Sequence, residues 1–322
     1  MTPSLPRPAE REAGVQRRAF AIGVLPPYRL DLTAWALRRR PDNVIDSWDG
    51  RSYRRALELG GGPVEVVVVH QAPAVPQLTV QLTGAQLNRA TEAAAHAALR
   101  RLLGLDKDLS AFYRLAADDP FLAPLAKRFR GLKPPRLPSV FECLVNAIAC
   151  QQLTLTAGIR LLNRLTTTYG TPVRDRGPRA FPRPSQLAGL SADALRALGF
   201  SRAKALSIVA LADAIETGAF DTETIESLDD DDAVTELMRL RGIGRWSAEY
   251  TLLRGLGRLH VFPGDDVGAR NNLAHRLQRK GPLDYAAVQD AVQPWQPYAG
   301  LVYFHLLLAN LAEQGVLTEP AA

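Results

Sequence analysis

Between residues 19 and 103 the apolar positions fall in short β-like runs broken by glycine and proline, and from residue 106 onward they repeat at helical spacing. A polar leader, 1–18, reads as disordered. Residues 19–24 form a strand candidate closed by Pro26-Pro27, and the spacing of Leu32, Trp35 and Ala36 predicts a helix over 31–40 with Asp31 as its N-cap. Runs at 44–47, 52–59, 65–70 and 77–82 read as strands, separated by Gly50, the Gly60-Gly61-Gly62-Pro63 cluster and a segment at 73–76. Thr83-Gly84 opens an alanine-rich helix to about Leu103. Helical segments then cover 108–116, 120–130, 139–150, 154–169, 184–189, 191–198, 202–217, 231–240, 245–256, 266–279, 284–293 and 298–314. The fold class is an α+β N-terminal domain (19–105), an antiparallel sheet with helices, followed by an all-α domain (106–322). A proline- and arginine-rich insert at 171–184 reads as an exposed loop, and no internal repeat is visible.

Composition sharpens this only in part. Apolar residues make up 47% of the 322, enough for a full core in two domains. The 39 Lys+Arg exceed the 33 Asp+Glu by six, and only Lys107, Lys127, Lys133, Lys204 and Lys280 among them are lysines. Arginine suits a polyanion partner because its planar fork matches phosphate oxygens, although a GC-rich genome produces the same bias. Two cysteines, Cys143 and Cys150, exclude a disulfide framework and a four-thiolate metal or iron–sulfur site, and read as buried small apolar residues. The start of the chain lacks an apolar signal segment, and the nearly apolar stretch 298–312 is too short to span a bilayer. The expectation is a cytoplasmic protein without a membrane partner. The acidic run Asp229-Asp230-Asp231-Asp232 sits where a helix begins, so capping and the helix dipole explain it without a metal.

The stretch Leu240-Arg241-Gly242-Ile243-Gly244-Arg245-Trp246-Ser247 carries the candidate chemistry. One helix ends and another begins around two glycines flanking an aliphatic residue. Ile243 can plug the groove between the helices, and the N–H groups at the start of the second point outward as an anion site. Such a hairpin grips a nucleic-acid backbone without reading bases. Alone it is also compatible with an ordinary helix corner. Further on, Phe262-Pro263-Gly264-Asp265-Asp266 places two carboxylates before another helix.

With that pair the sequence resembles the helix–hairpin–helix DNA glycosylase superfamily, and within it the bacterial 3-methyladenine DNA glycosylase II (AlkA-type) enzymes. Pro26-Pro27-Tyr28, Phe141-Glu142 with Ala147-Ile148 and Gln151-Gln152-Leu153-Thr154, Leu198-Gly199-Phe200-Ser201, and Trp295-Gln296-Pro297-Tyr298-Ala299 extend the likeness across residues 19–312. The resemblance implies that Asp266 is the catalytic carboxylate, which a helix N-terminus suits and which can stabilise an oxocarbenium-like sugar. Asp265 is then a cap or an orienter, or both carboxylates are caps. Gly242, Ile243, Gly244, Arg245 and Ser247 are implied to hold the DNA backbone. Trp246, Tyr250, Trp295 and, by a looser match, Trp35 are implied to form the base pocket, where an indole stacks well on a cationic alkylated purine. The other reading of each is a packing aromatic.

Trp246 stands where bifunctional relatives carry a lysine, so no lyase activity is expected. The base must leave the duplex and a side chain must fill the gap. The wedge falls on Gln152, where the AlkA-type pattern has leucine, or on Leu153. The implied activity is hydrolytic release of alkylated purines (the 3-methyladenine and 7-methylguanine class) from double-stranded DNA during base excision repair, by a nucleoid-associated monomer. A glycosylase for another lesion, or a non-catalytic helix–hairpin–helix DNA-binding protein, are the alternatives. No metal, redox or organic cofactor is implied, although a monovalent cation on the hairpin carbonyls is compatible with the pattern.

Overall fold

In a computed structural model, residues 15–71 and 75–317 are described. Strands β1 (Gln16–Gly23), β2 (Ser47–Trp48), β3 (Ser52–Leu59), β4 (Gly62–Val69) and β5 (Gln77–Gly84) form an antiparallel sheet in the order β1-β5-β4-β3-β2. Gly60 and Gly61 join β3 to β4 with φ of 60° and 92°, a left-handed pair that a two-residue hairpin needs and that a Cβ disfavours. Along β4, Val64, Val66 and Val68 alternate inward and are buried, which fixes the register.

Fifteen α-helices are described: α1 (Leu30–Arg38), α2 (Arg89–Leu103), α3 (Ser110–Ala117), α4 (Leu122–Arg128), α5 (Val140–Cys150), α6 (Leu155–Tyr169), α7 (Pro184–Leu187), α8 (Ala192–Arg196), α9 (Arg202–Glu216), α10 (Thr222–Ser227), α11 (Asp230–Met238), α12 (Arg245–Thr251), α13 (Val267–Arg276), α14 (Tyr285–Val292) and α15 (Ala299–Glu313). A π-helical turn, Leu252–Leu256, prolongs α12.

Helix α1 is buried on two sides. Leu30, Ala34 and Leu37 join the apolar core under the sheet, whereas Leu32, Trp35 and Ala36 join the core built by α3, α4, α13, α14 and α15. A third core, under α5, α6, α9 and α12, holds Ile243 of the hairpin. The sheet is also tied to α5 through a buried ion cluster. Arg55 of β3 pairs with Asp46 at 2.7 Å and with Glu142 of α5, and the Tyr53 hydroxyl donates to Asp46 at 2.6 Å. Removing one member strands a buried charge, at a cost of about 3–5 kcal/mol. The C-terminus of α5 leads straight into Gln151-Gln152-Leu153, so this cluster anchors the helix that presents the loop.

Several local expectations are corrected. Gln16–Arg18 belong to β1, not to a leader, while residues 1–14 lie outside the described residues. Helix α1 starts at Leu30 with Arg29 as N-cap, and Asp31 lies in the first turn, where it accepts from Arg29 Nε at 2.9 Å. Of the run 44–47 only Ser47 is in a strand, as the first residue of β2, because the Asn43 side chain accepts from the N–H groups of Ile45 and Asp46 and curls the backbone before it. Thr83 and Gly84 finish β5, and Asn88 with Thr91 forms the capping box that opens α2. A further short helix, α10, occupies residues 222–227, between the segments whose spacing predicts helices. The insert at 171–184 is not simply exposed: Val173 and Ala180 pack on Ala56 of the sheet, Phe181 is buried, and Arg174 pairs with Glu65 of β4 at 2.6 Å. Asp229 caps α11 by accepting from Asp232 N, whereas Asp230 pairs with Arg258 and His260.

Candidate active site

The hairpin is held on α9. Gly242 has φ of 77°, and a Cβ there would lie 2.3 Å from Ser207 Oγ, so glycine is required by both backbone and packing. Ile243 between the glycines is buried. Gly244 differs. Its φ of −104° is ordinary, it caps α12 with no side-chain acceptor, and a Cβ would meet nothing within 4 Å. Nothing in the described protein demands a glycine there, so open space is kept in front of the helix start.

The turn is fastened to the loop after α5. Gln151 Nε2 donates to the Gly242 carbonyl at 2.8 Å and to Ser247 Oγ at 2.9 Å. Lys204 Nζ of α9 donates to the carbonyls of Ala149 and Gln151 at 2.9 and 2.7 Å, and burial pulls its pKa down. The next two residues stand out from this brace: Gln152 at φ 52°, uncommon for a side chain, and Leu153, 46% exposed. Ser247 is buried, its hydroxyl accepting from Gln151.

Three residues of α12 grip three consecutive residues ahead of α13. Glu249 accepts from Gly264 N at 3.1 Å, Arg245 Nε donates to Asp265 at 2.9 Å, and Trp246 Nε1 donates to Asp266 Oδ2 at 3.1 Å. Asp266 is itself the N-cap of α13, its Oδ1 accepting from Ala269 N at 2.8 Å. Asp265 is therefore not the cap. It serves as the partner of Arg245 and raises that guanidinium's pKa by its hydrogen bond.

A third donor to Asp266 comes from α15, the Tyr303 hydroxyl at 2.9 Å from Oδ2. Burial, then the Asp266 charge, push the Tyr303 pKa well up, so its proton stays in that bond. Sequence reasoning missed Tyr303. It stands in an almost wholly apolar helix, and no local spacing signals which ring meets Asp266.

The aromatic candidates divide. Trp246 and Tyr250 face each other with centroids 5.5 Å apart, and burial raises the Tyr250 pKa. The Tyr250 hydroxyl donates to Asn146 Oδ1 at 3.3 Å and accepts from Arg39, a buried guanidinium at the end of α1 whose φ is 58°. Trp35 and Trp295 belong to the apolar core between α1 and the C-terminal helices, the same core that holds Tyr303. Trp295 stacks on Phe121 at 4.8 Å and donates to Asp119 at 2.8 Å, and Trp35 lies under Arg38. Their contacts are those of satisfied core aromatics. Cys143 is fully buried, which pushes its thiol up to about 12, and half-buried Cys150 is shifted the same way by burial. Among the described residues no cluster of His, Cys, Asp and Glu is placed to hold a metal, and no helix is long and apolar enough to cross a membrane.

Residues 19–141 match the AlkA N-terminal domain, and residues 145–297 match the family described as HhH-GPD superfamily base excision DNA repair protein. A DNA-3-methyladenine glycosylase of Bacillus subtilis is 29% identical over 206 residues, covering 63% of this chain and 67% of that protein. DNA-3-methyladenine glycosylase 1 of Schizosaccharomyces pombe is 31% identical over 161 residues, covering 49% of this chain and 68% of that protein. The solved structure of a 3-methyladenine DNA glycosylase from Archaeoglobus fulgidus superposes with a TM-score of 0.80 at 25% identity, covering 90% of this chain and 98% of that one. The chain belongs to the HhH-GPD superfamily of base excision DNA repair proteins, with an AlkA-type N-terminal domain ahead of its hairpin.

Proposed function

We propose that this protein is a monofunctional DNA glycosylase that releases alkylated purines, of the 3-methyladenine and 7-methylguanine class, from duplex DNA. The observation that carries the reading is Asp266, held at the start of α13 by Ala269 N, Trp246 Nε1 and the Tyr303 hydroxyl. Breaking an N-glycosidic bond builds positive charge on the sugar, and a fixed carboxylate lowers that barrier because it does not have to reorganise. The same carboxylate orients the attacking water. An alkylated purine leaves as a neutral base without a proton donor, and Trp246 presents an electron-rich face to its cationic ring. Tryptophan has no amine with which to form a Schiff base, so the strand is left uncut at an abasic site.

The hairpin supplies backbone grip. The space in front of Gly244 admits a phosphate to the N–H groups of Arg245, Trp246 and Ser247. Gln152 or Leu153, both exposed on the loop braced by Gln151 and Lys204, fills the gap left by the flipped nucleotide. At the turn the Leu240 and Gly242 carbonyls accept from Ile243 N and Gln151 Nε2. The enzyme acts as a monomer on chromosomal DNA in the cytoplasm. Incubating it with duplexes carrying 7-methylguanine and measuring free base tests the activity. Steep loss of DNA affinity between 50 and 200 mM salt, roughly an order of magnitude or more, tests the phosphate grip. No base release, or affinity indifferent to salt, contradicts the respective part.

A further inference from the structure

Glu249 is a buried acid one helical turn beyond Arg245, on the face of α12 that meets the loop before Asp266. Its two oxygens are both engaged: Oε2 accepts from Gly264 N at 3.1 Å, and Oε1 accepts from the Tyr285 hydroxyl of α14 at 2.6 Å. Arg245 lies 3.8 Å over the Tyr285 ring, which holds that ring in place. On the far side the loop has no room, since a Cβ on Gly264 would come within 2.8 Å of Tyr285 and 2.9 Å of Gln289. The loop is itself a closed turn, Asp266 N donating to the Pro263 carbonyl at 3.0 Å. Its second residue is thus pressed on α14 from one side and hydrogen-bonded to α12 from the other, while its last residue is Asp266.

We propose that Glu249 is a positioning residue for base excision, clamping the Pro263–Asp266 turn through the Gly264 amide so that the Asp266 carboxylate sits at the correct height over the flipped nucleotide. The inference rests on the glycosylase reading above. It differs from a packing role because the group held is a backbone N–H two residues from the carboxylate, within the turn that ends on Asp266. A displacement near 1 Å at a reacting group costs about a hundredfold in rate. Burial pushes the Glu249 pKa up, opposed by the hydrogen bonds that its oxygens accept from the Tyr285 hydroxyl and Gly264 N.

The test compares Glu249→Ala with Glu249→Gln. Glutamine keeps an acceptor for Gly264 N and can donate its amide to the Tyr285 oxygen, so it preserves the clamp without the charge. Single-turnover release of 7-methylguanine is expected to fall about thirty- to a hundredfold in Glu249→Ala and to stay within a few-fold of wild type in Glu249→Gln. Affinity for an abasic-site duplex should change less than about twofold in both, because the hairpin glycines are untouched. Hydrogen exchange in the 262–266 segment should speed up in the alanine variant alone. Wild-type excision with unaltered exchange in Glu249→Ala overturns the proposal, and so does a glutamine variant as slow as alanine, or excision and DNA affinity falling together. If the wild-type enzyme itself releases no alkylated base, the glycosylase reading fails, and the exchange measurement still decides the clamp.

Discussion

The indole N–H of Trp246 meets Oδ2 of Asp266 at 3.1 Å, joining the first turn of the hairpin's second helix to a carboxylate 20 positions later. One side chain therefore offers a stacking face and a hydrogen bond to the acid. The two roles separate on replacement by phenylalanine, which keeps a ring and loses the N–H. Trp246→Phe should lower single-turnover excision about tenfold while changing affinity for abasic-site DNA little, the loss expected for one hydrogen bond to a charged group. Equal excision by the two proteins would show that the bond does not hold the carboxylate.

Tyr303 makes the second bond to the same oxygen, 2.9 Å away, and its raised pKa keeps the hydroxyl protonated. Tyr303→Phe removes that donor with little change in volume. Activity should fall about tenfold, and Trp246→Phe combined with Tyr303→Phe should lose more than either alone but less than the product of the two, because both act through one carboxylate. Strictly multiplicative kinetics would argue that the residues work independently of Asp266.

The two hairpin glycines make opposite predictions. Gly242→Ala forces a Cβ to 2.3 Å from Ser207 Oγ in a left-handed backbone, so stability should drop by about 1–3 kcal/mol. Gly244→Ala adds a methyl to open space at an ordinary φ, so the melting temperature should barely move while DNA affinity falls. Thermal unfolding and duplex titration of both variants separate the fold's requirement from the ligand's. Unimpaired binding by Gly244→Ala would remove the phosphate from the space in front of it.

His305 gives a pH signature. It is buried in α15, its Nδ1 bonded to the Leu301 carbonyl, and burial lowers its pKa to about 4. Between pH 6.5 and 4 the unfolded chain therefore binds a proton that the native ring refuses, so stability is lost as pH falls through that window, by up to about 3 kcal/mol from this group. His305→Leu should show a shallower loss over the same range by denaturant unfolding. Parallel pH curves for the two proteins would exclude the buried ring as the cause.

What the sequence revealed tracks how local the physics is. The β3–β4 hairpin and the long helices follow from Gly60-Gly61 and from amphipathic spacing, both readable within a few residues. Boundaries set by single side chains were misjudged, as where Asn43 curls the backbone ahead of Ser47 or where Arg29, not Asp31, precedes the first turn of α1. The six-residue α10 is too short to show a period. At the site, the hairpin and the Asp265-Asp266 pair were visible as a motif, but which carboxylate caps α13 depends on side-chain direction. Tyr303 and Glu249 reach the loop only through tertiary packing. Trp295 is conspicuous in the sequence as a motif residue, and its bond to Asp119 is visible only in the fold.

Asp266→Asn addresses the central claim most directly, because asparagine can keep the cap on Ala269 N while removing the negative charge. The measurement is release of 7-methylguanine from a duplex under single-turnover conditions, with abasic-site binding measured in parallel. The account predicts that excision falls about a thousandfold or more while binding persists. Excision by Asp266→Asn at the wild-type rate would contradict it.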